Sequence, residues 1–441
     1  ESHQNMDSVS MYKPVTKWAV TVREPDVIPE VVHKACKVST NEKAGSVLIE
    51  LPEDIAKLNV KSAKALPKLK EVQYGVHDEI CKKAVDLIYE AKKPLLLVGN
   101  GCNREKCDDV LLEFINKTGI YEAHTFMGKG VIFAGHNQSL RCVGLGMKDI
   151  ANEAFDAADL VICAGYDLVE WSPERWNPKL NKKIIHIDSL PAEIDQHYCP
   201  TLEIVGNIRG IIKDLNSMLT DKHYKNDVFL KIRKKVLKDL ETMTQDKSMP
   251  MKPQRILHDL REVMADDDIL ISDVGAHKMW VARNYPTYRS NTCFIYNGFC
   301  PMGGSMPGAI AAKMVYPKKN VVALCGDGGF MMSIQALVTA VRQKVPIVVL
   351  LWEDDKFGLI KWKQEAHYNK HSHIDLHNPD LAKLATSFGA NGVKVKTAAQ
   401  LKKELTKAFK SKTKPTVIVV PVDYSENMKL TKRLGKIVSK S

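Results

Sequence analysis

The sequence predicts an α/β protein built from parallel sheets with helices on both faces. Three observations carry this. Short apolar runs recur at 94–98, 160–164, 183–187, 269–272, 321–324, 347–351 and 415–420, as strands buried on both sides require. Stretches with apolar residues at helical spacing separate them. Two of the runs end directly in glycine turns, Gly99-Asn-Gly-Cys-Asn103 and Gly326-Asp-Gly-Gly329, the usual punctuation between a strand and the helix that follows it.

Taken in order, residues 26–37 have helical periodicity, and 46–51 read as a strand ending at Pro52. One helix and one strand cannot close a domain, so residues 1–55 are expected to be part of a larger unit. Residues 56–77 contain lysines and prolines and suit a linker. A helix over 77–91, a strand at 94–98, a helix over 104–117 and strands at 160–164 and 183–187 then alternate, predicting a Rossmann-like domain over 78–220. Gly99-x-Gly101 lacks the third glycine of a dinucleotide fingerprint and is read as a tight strand-to-helix turn. A highly charged stretch within 221–252 is read as a surface connector helix. The third domain, 253–425, opens on an amphipathic helix at 253–264 and holds strands at 269–272, 293–296, 321–324, 347–351 and 415–420. Residues 426–441 form a basic tail.

The 441 residues suffice for two or three domains, and the 44% hydrophobic content is ordinary for a globular chain. No apolar run approaches the roughly 20 residues that span a bilayer, so no membrane association is expected. No signal peptide is visible, and Glu1-Ser-His-Gln is not a natural start, so a processed or partial chain is expected. The ten cysteines are scattered without a Cys-x-x-Cys pair, which predicts reduced thiols and a cytoplasmic setting. The net charge of +12 gathers in basic runs at 231–238 and 429–440. Aromatics are sparse in both runs, so these are read as solvated faces and not as a nucleic-acid surface.

Residues 321–356 are the centre of the chain. They read as strand, glycine turn, helix, strand, ending in the acidic cluster Glu353-Asp354-Asp355. Such a unit makes a right-handed crossover with parallel strands, which brings Asp327 and Asp354 side by side at the carboxyl edge, where open α/β sheets bind ligands. Gly326, Gly328 and Gly329 let an anion approach the backbone, and the helix start offers free N–H groups. Two carboxylates beside an anion-sized hole call for a divalent cation, and Mg²⁺ suits one or two carboxylates with phosphate oxygens, a carbonyl and water. Glu353 and Asp355 flank Asp354 and leave the second ligand open from these residues alone.

Gly326-Asp-Gly followed by an acidic residue 27 positions after the Asp resembles the metal–diphosphate motif of thiamine diphosphate enzymes. Ser272-Asp-Val-Gly-Ala-His-Lys-Met-Trp280, Asn297-Gly-Phe299, Met302-Gly303, Pro307-Gly-Ala-Ile310, Phe357-Gly-Leu-Ile-Lys-Trp-Lys-Gln364 and Pro421-Val-Asp-Tyr424 extend the resemblance to the acetolactate synthase large-subunit group. It covers essentially the whole chain, except that roughly the first hundred residues of the family pattern have no counterpart.

The resemblance implies a Rossmann-like central domain, a C-terminal thiamine diphosphate-binding domain, and an N-terminal remnant of the pyrimidine-binding domain. It favours Asp354 as the second metal ligand, with the Lys356 carbonyl as a third. Gly275, Ala276 and His277 would hold the far end of the diphosphate; Gly298, Phe299 and Met302 would frame and bend the thiamine. Gly326, Gly328, Gly329, Phe357, Gly358, Leu359 and Ile360 would complete the cofactor site, and Trp362 and Lys363 would reach the substrate. The implied cofactors are thiamine diphosphate and Mg²⁺, with no flavin (FAD) expected. The implied reaction joins two pyruvates into 2-acetolactate with loss of CO₂, in a homodimer or homotetramer that shares the cofactor between subunits. The family's glutamate partner of the pyrimidine has no counterpart, since Glu24, Glu30 and Glu50 lie beyond the missing stretch. Two other readings stand beside this one: a related 2-oxo acid decarboxylase or carboligase, and a non-catalytic structural relative.

Overall fold

The computed structural model describes residues 6–60, 64–67, 77–144, 149–220, 223–428 and 431. It divides into two compact units, Glu1–Tyr74 and Gly75–Ser441. The expected linker at 56–77 and tail at 426–441 lie largely outside the described residues, including the basic run at 429–440.

In the first unit, β1 (Trp18–Thr21) pairs in parallel with β2 (Val47–Glu50), Trp18 standing opposite Val47. The helix Ile28–Thr40 connects them, with a proline in its first turn where a missing N–H costs nothing. Lys34 on that helix lies 4.6 Å over the Trp18 ring. The expected strand at 46–51 thus finds its partner in Trp18–Thr21.

The second unit contains two six-stranded sheets, parallel throughout. The first holds β3 (Pro94–Val98), β4 (Tyr121–His124), β5 (Ser139–Cys142), β6 (Leu160–Ala164), β7 (Lys183–Asp188) and β8 (Leu202–Val205) in the order β5-β4-β3-β6-β7-β8. This is the doubly wound order of a Rossmann-like domain, with its switch point between β3 and β6. Both faces of β3 and β6 are buried, which explains their uninterrupted apolar sequences.

Backbone packing closes that switch point. A Cβ on Gly99 would lie 2.2 Å from the Gly165 carbonyl oxygen, and one on Gly101 would lie 2.7 Å from Gly165 Cα. The glycines after β3 are therefore there for close strand-to-turn contact. The Glu170 carboxylate is buried in the same turn. It accepts from Asn100 N at 3.1 Å, Thr125 Oγ1 at 2.5 Å and Asp167 N at 3.2 Å.

The expected single helix over 104–117 is two helices, Asn100–Arg104 and Asp108–Thr118. Lys106 adopts the left-handed backbone region between them, at φ 53°, which ends the first helix. The stretch read as a surface connector is also more than that. Its helix, Asp227–Leu240, buries Phe229, Ile232 and Val236 in the core of the central domain, so only its charged side is solvated.

The second sheet holds β9 (Ile269–Ser272), β10 (Cys293–Ile295), β11 (Val321–Gly326), β12 (Val348–Glu353), β13 (Asn391–Lys394) and β14 (Thr416–Pro421) in the order β10-β9-β11-β12-β14-β13. From β9 the chain runs outward to β10, and from β11 it runs the other way to β12. The switch point therefore lies between the carboxyl ends of β9 and β11. One core packs Leu270, Val322, Leu350, Trp352 and Ile418 against the helices Pro253–Val263 and Ala398–Phe409; the other packs Ile271, Ala323, Val349 and Val417 on the opposite face.

Arg283 joins the two sheet domains. It is buried, with Nε 2.9 Å from Asp149 and Nη2 2.5 Å from Asp239. No helix among the described residues is long and apolar enough to cross a membrane. All ten cysteines are unbridged.

Candidate active site

The register of β11 on β12 sets Gly326 opposite Trp352, so the chain leaves both strands at the same level. Asp327 opens the helix that follows β11, Asp327–Ser333, and is only 1% exposed. Its Oδ1 accepts from Gly328 N at 2.8 Å. Its Oδ2 accepts from Asp355 N at 2.8 Å, Asp354 N at 3.3 Å and Asn378 Nδ2 at 2.9 Å. The crossover thus places both acids together at the strand tips.

Burial raises the Asp327 carboxyl above the ordinary range, against those hydrogen bonds. Burial first, and then the neighbouring Asp327 charge, push Asp354 up to about 7. A cation between the two carboxylates would remove that repulsion. Asp355 takes the left-handed region at φ 54°, so the chain turns sharply after Asp354. Lys356 continues the turn and pairs its ammonium with Asp375. Its carbonyl therefore belongs to a fixed segment.

The loop after β9 meets this edge from the other side of the switch point. His277 is buried, its ring lies against Gly275, and a Cβ on Gly326 would be 3.5 Å from its Nδ1. His277 Nε2 is buried without a hydrogen-bond partner, and burial lowers the imidazole to about 4, so the ring is neutral. The unused nitrogen beside a glycine turn would meet a phosphate oxygen only when it carries a proton. Ala276 lies on the same side: its Cβ is 3.6 Å from where a Cβ on Gly358 would stand. A Cβ on Gly358 would also be 2.9 Å from Asp354 Oδ2, so any larger residue there would displace that carboxylate.

Met302 and Phe357 close over Gly328, where a Cβ would lie 3.4 Å from Met302 Cε and 3.1 Å from Phe357 Cε1. The Met302 turn is held by Asp273, whose carboxylate accepts from Gly303 N at 2.9 Å and Ser305 Oγ at 3.3 Å. Gly298 is left-handed at φ 80°, and Phe299 beside it is fully exposed.

The remaining predicted residues separate. Leu359 packs on the core, while Ile360 is exposed. Trp362 is buried in the core and donates to Thr431 Oγ1 at 2.5 Å. Lys363 is exposed on the helix Gly358–Tyr368. A cavity of about 680 Å³ opens beside Asp354 and is bordered by Lys361, Trp362 and Tyr424, but not by Lys363. Asp327, His277 and Met302 lie outside its lining, so it adjoins the strand-tip cluster without containing it.

Sequence reasoning assigned no role to Asp273 or Asn378. Asp273 stands inside the quoted Ser272–Trp280 motif, and Asn378 precedes Pro379 in a turn-forming Asn-Pro-Asp run. Both signals mark a loop without saying what the side chain reaches.

The parallel sheet, its switch-point glycine turn and the paired aspartates define a thiamine diphosphate-dependent enzyme. Two family models agree: residues 273–420 match the thiamine pyrophosphate enzyme C-terminal TPP binding domain, and 81–215 match the central domain. The chain is 31% identical to acetolactate synthase of Bacillus subtilis, an alignment covering 99% of this chain and 78% of that protein. It is 32% identical to the catabolic acetolactate synthase of Raoultella terrigena, over 96% of this chain and 77% of the relative. With the probable acetolactate synthase large subunit of Methanocaldococcus jannaschii the identity is 30%, over 100% and 77%. The chain belongs to the acetolactate synthase family of thiamine diphosphate enzymes.

Proposed function

We propose that this chain is the diphosphate- and metal-holding part of a carboligase that joins two pyruvates into 2-acetolactate and releases CO₂. The observation that carries the proposal is the pair Asp327 and Asp354 at adjacent strand tips, facing a glycine turn and the unpartnered His277 nitrogen. Asp327, Asp354 and the Lys356 carbonyl would hold Mg²⁺. Gly275, Ala276, His277 and the Gly326–Gly329 turn would take the diphosphate, with Gly358 keeping that side open. Thiamine diphosphate, when bound, supplies the electron sink that makes decarboxylation of a 2-oxo acid possible.

The chain's own groups bind, orient and exclude. Met302 supports the cofactor from the side of Gly328, on a turn fixed by Asp273. His277 would reach the diphosphate through Nε2, which donates only when that nitrogen carries a proton. Phe357 and Met302 keep water from the buried side of the turn. The exposed apolar side chains Phe299, Met331, Met332 and Val338 suit burial by a second copy, which supports a homodimer or homotetramer. The turn after β3 is filled by Glu170 and Gly165, so the proposal includes no flavin.

Calorimetry of the full protein with thiamine diphosphate, with and without Mg²⁺, comes first. Binding that requires Mg²⁺ and disappears with EDTA is expected, and absence of binding would remove the reading. An assay of CO₂ and acetolactate from pyruvate follows. Binding without CO₂ release would turn the reading to another 2-oxo acid, or to a non-catalytic relative.

A further inference from the structure

Three of the four donors on the Asp327 carboxylate are backbone N–H groups, which no side-chain substitution removes. The fourth is Asn378 Nδ2, 2.9 Å from Oδ2 and brought from a loop 51 residues downstream. The same amide nitrogen lies 2.8 Å from Asp355 Oδ1. The loop is anchored before it reaches Asn378: Phe357 N donates to Ile374 O, and Leu376 N to Asp355 O, each at 2.8 Å.

The two oxygens of Asp327 are therefore not equivalent. Oδ2 carries three donors and has no lone pair to spare, whereas Oδ1 carries one donor and keeps one free. We infer that Asn378 is a positioning residue for the metal: it locks the Asp327 carboxylate so that Oδ1 is the oxygen presented to the cation. It also bonds Asp355 Oδ1, which ties that side chain to the same loop. Being neutral, it does both without adding a third negative charge. The inference rests on the metal–diphosphate reading above.

The test is Mn²⁺ binding to the full protein with saturating thiamine diphosphate, read from the free-ion signal by electron paramagnetic resonance. Asn378→Leu keeps the volume and removes the donors, and is expected to weaken Mn²⁺ by about 10–100-fold, as loss of an outer-shell partner does. The metal-free melting temperature should not move. Asp355→Gly suits the left-handed backbone and removes the amide's second anchor. It should weaken Mn²⁺ less, and the double variant should bind no worse than Asn378→Leu alone, because the two act through one bond. Mn²⁺ affinity in Asn378→Leu equal to the wild type would overturn the inference and leave the functional reading intact. So would strictly additive losses in the double variant, or a collapse of the metal-free melting temperature. A wild type that binds neither Mn²⁺ nor thiamine diphosphate would instead defeat the functional reading itself.

Discussion

The Asp273 carboxylate stands where a side chain on Gly329 would have to go: a Cβ there would lie 2.8 Å from Asp273 Oδ2. The second glycine after Asp327 is thus set by a residue 56 positions earlier, at the tip of the neighbouring strand. Through its bond to Gly303 N, the same carboxylate fixes the turn that carries Met302. This one buried acid thus bonds the Met302 turn and abuts the Gly329 turn.

Gly329→Ala should therefore push Asp273 off Gly303 and release Met302. Overpacking of this kind costs about 1–3 kcal/mol, and thiamine diphosphate affinity should fall with it. Gly135→Ala is the control, because a Cβ there meets nothing closer than 3.5 Å. Thermal melts and calorimetry read both variants, and identical behaviour of the two would refute the proposed contact.

Glu170 gives a pH dependence that starts in the central domain. Burial pushes its carboxyl up to about 7, against hydrogen bonds from Thr125, Asn100 and Asp167. Its folded value lies above its unfolded one, so the stability it contributes is fully present below the unfolded value. That stability is lost as pH rises toward 7. The difference is on the order of 3 kcal/mol at 1.36 kcal/mol per pH unit. Glu170→Gln should flatten this fall, gaining on the wild type as pH rises from 4.5 to 8. Melting temperatures measured across that range would show it; parallel curves for the two proteins would rule it out.

Arg283 holds Asp149 of the central domain and Asp239 of the following helix, both largely buried. Arg283→Met removes the cation and leaves two carboxylates without it. Breaking a buried pair from one side costs about 3–5 kcal/mol. Adding Asp149→Asn should recover part of the loss, since the stranded charge is then gone. A single variant that melts like the wild type would show that the pair contributes little to domain attachment.

The residues themselves determined the strand–turn–helix–strand unit around Asp327 and Asp354. A parallel crossover of that length has one handedness, and it must return both acids to one sheet edge. The strands buried on both faces were legible for the same reason: β3, β6, β9, β11, β12 and β14 are continuous apolar runs. β4, with Tyr-Glu-Ala-His, and β13, with Asn-Gly-Val-Lys, were not legible, because strand state there comes from pairing with a neighbour. β4 can bury Glu122 because His124 lies 3.3 Å away, a pairing that leaves no hydrophobic pattern.

Tertiary structure alone decided which oxygen of Asp327 is free, that Asp273 dictates Gly329, and that Gly165 and Glu170 close the central switch point. Each of these depends on side chains that meet through loops. Loop paths have no period to read, and hydrogen-bond donors are chosen only once the backbone has brought them within about 3 Å.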